Sequence, residues 1–156
     1  MENRSNTSDR ELLLTRTLNA PVEMVWEVWT SPEHLANWWG PNGFTNTISA
    51  MDVKPGGAFN LIMHGPDGTD YDNQSTYKEV VPLKKIVFEH TTYPHILFTI
   101  SFEAQGDKTL LRWHMLFDSA EILADVAKKH QAIEGQKQNV EKLIRYLEDR
   151  KAERNR

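Results

Sequence analysis

The side chains that could do acid–base or hydrogen-bonding chemistry lie on two stretches of alternating sequence. Tyr71, Asn73, Ser75 and Tyr77 recur at every second position, and His90 ends the next alternating run. Successive side chains of a strand point to opposite faces, so these five are expected on one largely apolar inner face. Buried polar groups need partners, which could be a ligand hydroxyl or carboxylate, ordered water, or one another. His90, as a general base, and Tyr77 are the candidate catalytic residues.

Other kinds of catalytic or metal site find little support. Six histidines are present: His34, His64, His90, His95, His114 and His130. They form no His-x-x-x-His or HExxH pattern, so no metal site is predicted. Asp67, Asp70 and Asp72 surround a glycine-rich turn, which is typical of a solvated loop and lacks the other ligands of an EF-hand. There is no GxSxG, P-loop or GxGxxG motif and no cysteine, so we expect no cofactor.

Length and composition indicate one globular domain. The chain has 156 residues, of which 39% are hydrophobic, enough for one core. We expect a disordered leader at residues 1–10, a single domain at 11–150 and a flexible tail at 151–156. The net charge of -4 gives no electrostatic reason to bind nucleic acid, and no apolar run is long enough to span a membrane. The absence of cysteine fits a reducing compartment, so a cytoplasmic location is expected.

Hydrophobic periodicity predicts an α+β fold. A strand at Glu11–Leu18 precedes two short helices, Val22–Thr30 and a second that begins at Pro32. Six alternating stretches separated by turns are predicted as strands: Phe44–Val53, Ala58–His64, Thr69–Val81, Lys85–His90, Ile96–Ala104 and Thr109–Phe117. One long helix, Ser119–Arg150, follows. The prediction is a curved seven-stranded antiparallel sheet around a long C-terminal helix, an arrangement that often leaves space for a small ligand.

The predicted long helix has an apolar stripe that is interrupted in its middle. The stripe consists of Ile122, Val126, Ile133, Val140, Leu143, Ile144 and Leu147. Lys129 and Gln136 are polar positions on the same stripe, and Gly135 adjoins the second. The helix is therefore either kinked around Lys129–Gly135, because glycine weakens a helix interior, or faces a cavity there. The two interpretations are compatible.

Strand alternation also predicts which side chains line the space between sheet and helix. The candidate ligand-binding residues are Trp39, Met51, Phe59, Leu61, Met63, Tyr71, Ser75, Tyr77, Phe88, His90, Phe98, Trp113, Met115, Gln136 and Val140. Apolar residues in such positions are more often core than ligand contacts. Trp38 is interpreted as core, whereas Trp39 could equally pack in the core or gate a pocket.

Spaced motifs across most of the chain are similar to those of one known family. They include Asn19-Ala20-Pro21, Trp29-Thr30-Ser31-Pro32, Trp38-Trp39-Gly40-Pro41, Asp52-Val53-Lys54-Pro55-Gly56-Gly57, Gly65-Pro66-Asp67-Gly68 and Glu79-Val80-Val81-Pro82. From Glu11 to about Leu147 the chain resembles the homologues of the C-terminal domain of the activator of heat shock protein 90 ATPase. These belong to the START-like, or SRPBCC, helix-grip superfamily. The resemblance implies a helix-grip fold with an apolar cavity between the sheet and the long helix.

Three functions remain open, in order of preference. The first is binding of a small hydrophobic or amphipathic molecule in the cavity. The second is a cyclase or dehydratase reaction in the same cavity, as the resemblance to polyketide cyclases implies. The third is an interaction domain that stimulates a chaperone ATPase, as the family's name suggests. The sequence leaves a chaperone partner and a homodimer open, and it does not identify the ligand.

Overall fold

The computed structural model describes residues 9–130 and 132–154 and has the predicted α+β architecture. Its helices are α1 (Val22–Thr30), α2 (Pro32–Trp38), α3 (Ala120–His130) and α4 (Ala132–Arg154). Its strands are β1 (Glu11–Leu18), β2 (Thr45–Met51), β3 (Ala58–His64), β4 (Asp70–Val81), β5 (Lys85–His90), β6 (Ile96–Gln105) and β7 (Lys108–Phe117). The strands form one antiparallel sheet in the order β1-β7-β6-β5-β4-β3-β2. This arrangement confirms the predicted sheet and the two short helices after β1.

Alternation along each strand separates a buried inner face from a solvated outer face. On β6, Phe98 and Ile100 are buried while the intervening Thr99 is not, and cross-strand pairing keeps inner residues beside inner residues. Leu13, 60% exposed, lies on the outer face of β1. The helices cover only the inner face, so the core lies between it and α1, α2 and α4.

The strand β2 is shorter than predicted because a tight turn begins inside the predicted stretch. Asp52 N–H donates to the carbonyl of Ala58, and Lys54 N–H donates to the carbonyl of Asp52. A Cβ at Gly57 would lie 1.9 Å from the carbonyl oxygen of Asp52, so only glycine fits this turn. The carbonyl of Gly57 accepts from the N–H of Tyr77 of β4, and the N–H of Gly56 donates to the carbonyl of Tyr77, which anchors the turn to the sheet.

Both chain ends of the predicted domain differ in detail from expectation. Residues 1–8 of the predicted leader lie outside the described residues, but Arg10 donates from Nη1 to the carbonyl of Phe117 at 2.7 Å. The helix α4 continues through Arg154, so residues 151–154 of the expected tail are helical. Lys151 contributes a bond from Nζ to the carbonyl of Asn19 at 2.9 Å.

The apolar stripe of the C-terminal helix holds along most of α4 and fails at one position. Val140, Leu143 and Leu147 are buried as predicted, but Ile133 is 48% exposed. Ala132 takes the core-facing position in the first turn of α4 instead. Residue 131, at which the predicted helix could kink, lies outside the described residues, as does the side chain of Lys129. Across the described ranges, no helix is long and apolar enough to cross a membrane.

Candidate functional site

Trp39 lies at the centre of the inner face, between the sheet and the helices. Its ring stacks on that of Trp113, with centroids 5.5 Å apart and an interplanar angle of 13°. The rings of Phe59, Phe88 and Phe98 surround it at 6.3 to 6.4 Å. Trp39 is only 8% exposed, although it belongs to the connection between α2 and β2. Packing against these four aromatic rings therefore fixes the position of an indole that the sequence analysis counts among the candidate ligand-binding residues.

The helix α4 holds the backbone on both sides of Trp39. Asn139 donates from Nδ2 to the carbonyl of Trp38 at 2.7 Å, and its Oδ1 accepts from the N–H of Gly40 at 3.0 Å. Both bonds are buried, and Asn139 is 5% exposed. Because buried backbone groups must be paired, this one side chain satisfies two groups that the chain could not otherwise pair there.

Two further side chains fix the connection that carries Trp39. Asn46 of β2 donates from Nδ2 to the carbonyl of Trp39 at 2.9 Å. Lys142 of α4 places its Nζ 3.2 Å from the carbonyl oxygen of Pro41 and 3.4 Å from that of Phe44. Burial lowers the pKa of the Lys142 ammonium. The carbonyls around it are the partners that keep the group hydrogen-bonded in this partly buried position.

On one side of Trp39 the interior is a closed tryptophan core. Trp29 packs edge-on against Trp38 at 4.8 Å and against Trp113 at 5.1 Å. Trp38 is fully buried, and its Nε1 donates to the carbonyl of Val28 at 3.1 Å. These contacts confirm the interpretation of Trp38 as core.

On the other side of Trp39 lies a cluster of buried polar groups around His90. His90 and Ser75 are cross-strand neighbours on the inner face, 8% and 6% exposed. The Nδ1 of His90 lies 2.8 Å from the carbonyl oxygen of Pro94, in the loop between β5 and β6. Its Nε2 lies 2.7 Å from Oδ1 of Asn73 and 3.1 Å from Oγ1 of Thr92. Of the polar residues singled out in the sequence, Asn73 and His90 thus bind each other, as one of the predicted alternatives had it, and the other two partners of His90 belong to the loop.

The partners of His90 limit where its proton can reside. Both ring nitrogens face an oxygen that only accepts, Nδ1 that of Pro94 and Nε2 the Oδ1 of Asn73, so a neutral ring donates to one of the two. Burial is the main cause that lowers the pKa of His90, which favours the neutral ring. In the tautomer that donates to Pro94, the lone pair of Nε2 can accept from the hydroxyl of Thr92, in a position where a ligand hydroxyl could equally donate.

Tyr77, the other candidate catalytic residue, has a different environment. It is 2% exposed and stacks on Phe59 at 5.4 Å, and burial raises the pKa of its phenol far above the ordinary value. Asp52 adds to this shift through its negative charge. The phenol therefore keeps its proton, and Tyr77 can act only as a neutral hydrogen-bonding group.

The remaining predicted lining residues are either partly buried at the edge of the inner face or packed in the core. Met63, Tyr71 and Met115 lie on the inner face but are only partly buried. Gln136, a polar position on the helix stripe, is buried and donates from Nε2 to the carbonyl of Trp113 at 3.0 Å. Five predicted lining residues pack in the core, of which Met51 is only partly buried: Met51, Leu61, Phe88, Phe98 and Val140.

The histidines of the outer face form ion-pair and hydroxyl contacts rather than a site. His64 lies 2.7 Å from both Thr47 and Asp70 at the surface. His95 bridges Glu89 and Asp118, and both carboxylates contribute to raising its pKa. Within residues 9–130 and 132–154 no group of three metal-ligating side chains is assembled.

Several residues of this region carried no sequence signal. Thr92 and Pro94 belong to a loop, Asn46 binds a carbonyl in the connection just before its strand, and Asn139 and Lys142 act on backbone groups far along the chain. A recognisable sign existed only for Asn139, which follows Gln136 by three residues and so lies on the same face of the helix.

The fold defines a class of protein. A seven-stranded antiparallel sheet with two short helices after its first strand and a long C-terminal helix is the helix-grip arrangement, a ligand-binding type of domain in general. Residues 19–148 match the family described as activator of Hsp90 ATPase homolog 1-like protein, and the chain belongs to this family. No curated protein matches it.

Solved bacterial structures share this fold. A protein from Nitrosomonas europaea is 23% identical with a TM-score of 0.84, over 93% of this chain and 98% of that one. One from Arthrobacter aurescens is 20% identical with a TM-score of 0.85, over 94% and 90% of the two chains. One from Mycobacterium smegmatis is 23% identical with a TM-score of 0.81, over 96% and 98%. At these identities the similarity establishes the fold alone.

Proposed function

We propose that the protein binds a small apolar or amphipathic molecule between the sheet and the helices, at the polar end of the inner face. One observation carries the proposal: a polar cluster of the buried Ser75 and His90 and the partly buried Asn73 lies within an otherwise apolar surface. Along β4 this cluster continues into Tyr71, whose cross-strand partner is Met63, and both are partly exposed. Apolar walls with a few convergent polar groups are typical of small-molecule sites.

The energetics of buried polar groups support the same site. Placing hydroxyl, amide and imidazole groups inside costs stability unless each is fully hydrogen-bonded. A bound molecule with a polar oxygen group and an apolar body would match both the polar cluster and the surrounding rings.

Ligand-induced thermal stabilisation tests this proposal, with native mass spectrometry as a second readout. Compounds to be compared are fatty acids, lysolipids and aromatic polyketide-like acids. Met115 and Leu116 offer a matched pair, because they are adjacent on β7 and face opposite sides of the sheet. Met115→Trp should fill the site and weaken binding about tenfold or more, whereas Leu116→Trp adds the same ring outside and should leave binding unchanged. If no compound of the panel stabilises or binds the wild-type chain, the proposal is wrong.

A second candidate function is a cyclase or dehydratase reaction at the same site, and the state of His90 favours it. Burial favours the neutral imidazole, and in the tautomer that donates from Nδ1 to Pro94 it presents Nε2 to the polar cluster as a base. His90→Gln keeps a side chain of similar reach that can still hydrogen-bond. If the protein is an enzyme, this variant should bind its ligand nearly as well as the wild type but lose turnover; equal turnover would exclude His90 as the base.

A further inference from the structure

Trp39 separates the site from the rest of the interior. Phe59, Phe88 and Phe98 contact its ring from the sheet. Two residues further along β5 from Phe88 is His90, so the polar cluster begins directly beyond these rings. On the opposite side, the ring of Trp39 contacts Trp29 at 6.0 Å and Trp38 at 5.7 Å.

The part of the interior behind Trp39 offers no room for a ligand. Trp29, Trp38 and Leu111 there are between 0% and 3% exposed and belong to one continuous core. A ligand that entered from the side of Tyr71 and Met63 would meet the indole of Trp39 before it reached this core.

The position of Trp39 is fixed by its backbone as well as by its ring. Hydrogen bonds from Asn139 hold the residues before and after it, and Asn46 holds its own carbonyl. The following residue, Gly40, has φ +94°, and a Cβ there would lie 2.9 Å from Cε of Met63. The chain is thus closely packed where it delivers the indole, which makes the ring a rigid boundary rather than a mobile side chain.

We propose that Trp39 is the floor of the binding site and restricts the protein to compact amphiphiles, such as short-chain acids or single-ring compounds, in preference to long-chain lipids. This inference rests on the proposed function. According to this inference, one residue of the α2–β2 connection limits the length of the ligands that the site accepts.

Affinity across a series of straight-chain carboxylates from hexanoate to hexadecanoate tests the proposal. In an apolar site without a floor, each added CH₂ group raises affinity about fourfold. For the wild-type protein we expect this increase to stop within the series, at the length where the chain end meets the indole. We call this chain length the break. In Trp39→Leu the break should move to longer chains, so that binding of the longest acids that the wild type disfavours improves about tenfold or more. Isothermal titration calorimetry gives the affinities.

Trp38→Phe is the matched control, because it trims a buried indole one residue away on the other side of the boundary. It should lower thermal stability without moving the break in chain length. Trp39→Phe removes less volume and serves as the second variant if Trp39→Leu does not fold; its break should move by fewer carbons.

The outcomes distinguish this inference from the proposed function. A wild-type protein that binds none of the acids, with no other panel compound bound, overturns both. A wild-type protein that binds them with affinity rising through hexadecanoate overturns only the floor, as does a break that stays in place in Trp39→Leu and Trp39→Phe. A break that also moves in Trp38→Phe likewise overturns the specific role of Trp39.

Discussion

The two parts of the interior on either side of Trp39 differ in chemistry, although both lie on the inner face of the same sheet. Around Trp29 and Trp38 the space is filled by indole rings at centroid distances of 4.8 to 6.4 Å, and the side chains are essentially inaccessible. Around His90 the inner face carries imidazole, amide and hydroxyl groups, and its edge residues are only partly buried. One part has the composition of a core, and the other carries the polar groups on which the proposed binding site depends.

This difference indicates which part of the interior contributes most to the free energy of unfolding, and which part contributes little and could serve a function instead. Rings that remove large apolar areas from water contribute most to stability. Buried polar groups contribute little net free energy even when they are paired, because they give up bonds to water. Selection for function therefore explains the presence of such a group of residues better than selection for stability does. The predictions below test that separation, starting with the largest effect.

Trp38→Ala should destabilise the protein by about 3–5 kcal/mol, since it removes a fully buried indole and leaves a cavity in the closed part. Ser75→Ala, a change of one buried hydroxyl at the polar end, should cost about 1 kcal/mol or less. Urea denaturation of both variants measures the free energy of unfolding. Comparable losses in the two variants would mean that the polar end is as much a part of the core as the tryptophans are.

Asn139→Ala should cost about 2–3 kcal/mol, because it leaves the carbonyl of Trp38 and the N–H of Gly40 buried and unpaired. Gln138→Ala is the control from the next residue of α4. The Oε1 of Gln138 accepts from the N–H of Asn42 in an exposed position, where water can replace it, so we expect a loss of only a few tenths of a kcal/mol. A small effect of Asn139→Ala would show that the aromatic contacts of Trp39 alone hold the boundary between the two parts.

The sheet could be predicted from the sequence because alternation is a local signal. The strands Glu11–Leu18, Ala58–His64 and Lys85–His90 have the predicted bounds. The prediction was wrong by one or two residues where a turn begins inside an alternating stretch, as at Asp52. Ile133 was misplaced because a helix stripe extrapolated over several turns accumulates an error in phase.

The inner orientation of the candidate site residues was also predictable, since it follows from the same alternation. What they do there was not. That Trp39 stacks on Trp113, or that Asn139 binds the N–H of Gly40 across 99 residues of sequence, depends on tertiary contacts without periodicity. Two of the partners of His90, Thr92 and Pro94, come from a loop, where sequence spacing fixes no geometry. The assignment of ligand binding to these residues stays a prediction.

The smallest expected effect contrasts His90 with His95 at either end of the loop between β5 and β6. Burial lowers the pKa of His90 in the folded chain, so on acidification the residue is protonated in the unfolded chain first. Its contribution to stability is therefore complete above about pH 6.5, the ordinary histidine pKa, and is lost as the pH falls below that value. Glu89 and Asp118 raise the pKa of His95, so its contribution is complete below about pH 6.5 and is lost as the pH rises through its raised pKa. Asp72 and His95 are the charges that act on the His90 ring, and they oppose one another.

Urea midpoints measured between about pH 5 and pH 8 distinguish the two residues. His90→Gln should flatten the loss of stability on the acid side of the profile, because the remaining chain no longer carries a buried base that resists protonation. His95→Gln should flatten the change on the alkaline side instead, and by less, because solvent screens an exposed bridge. Two variants with profiles parallel to that of the wild type would show that neither ring titrates differently in the folded chain. The polar end would then lack the neutral, buried imidazole that makes its chemistry different from that of the tryptophan core.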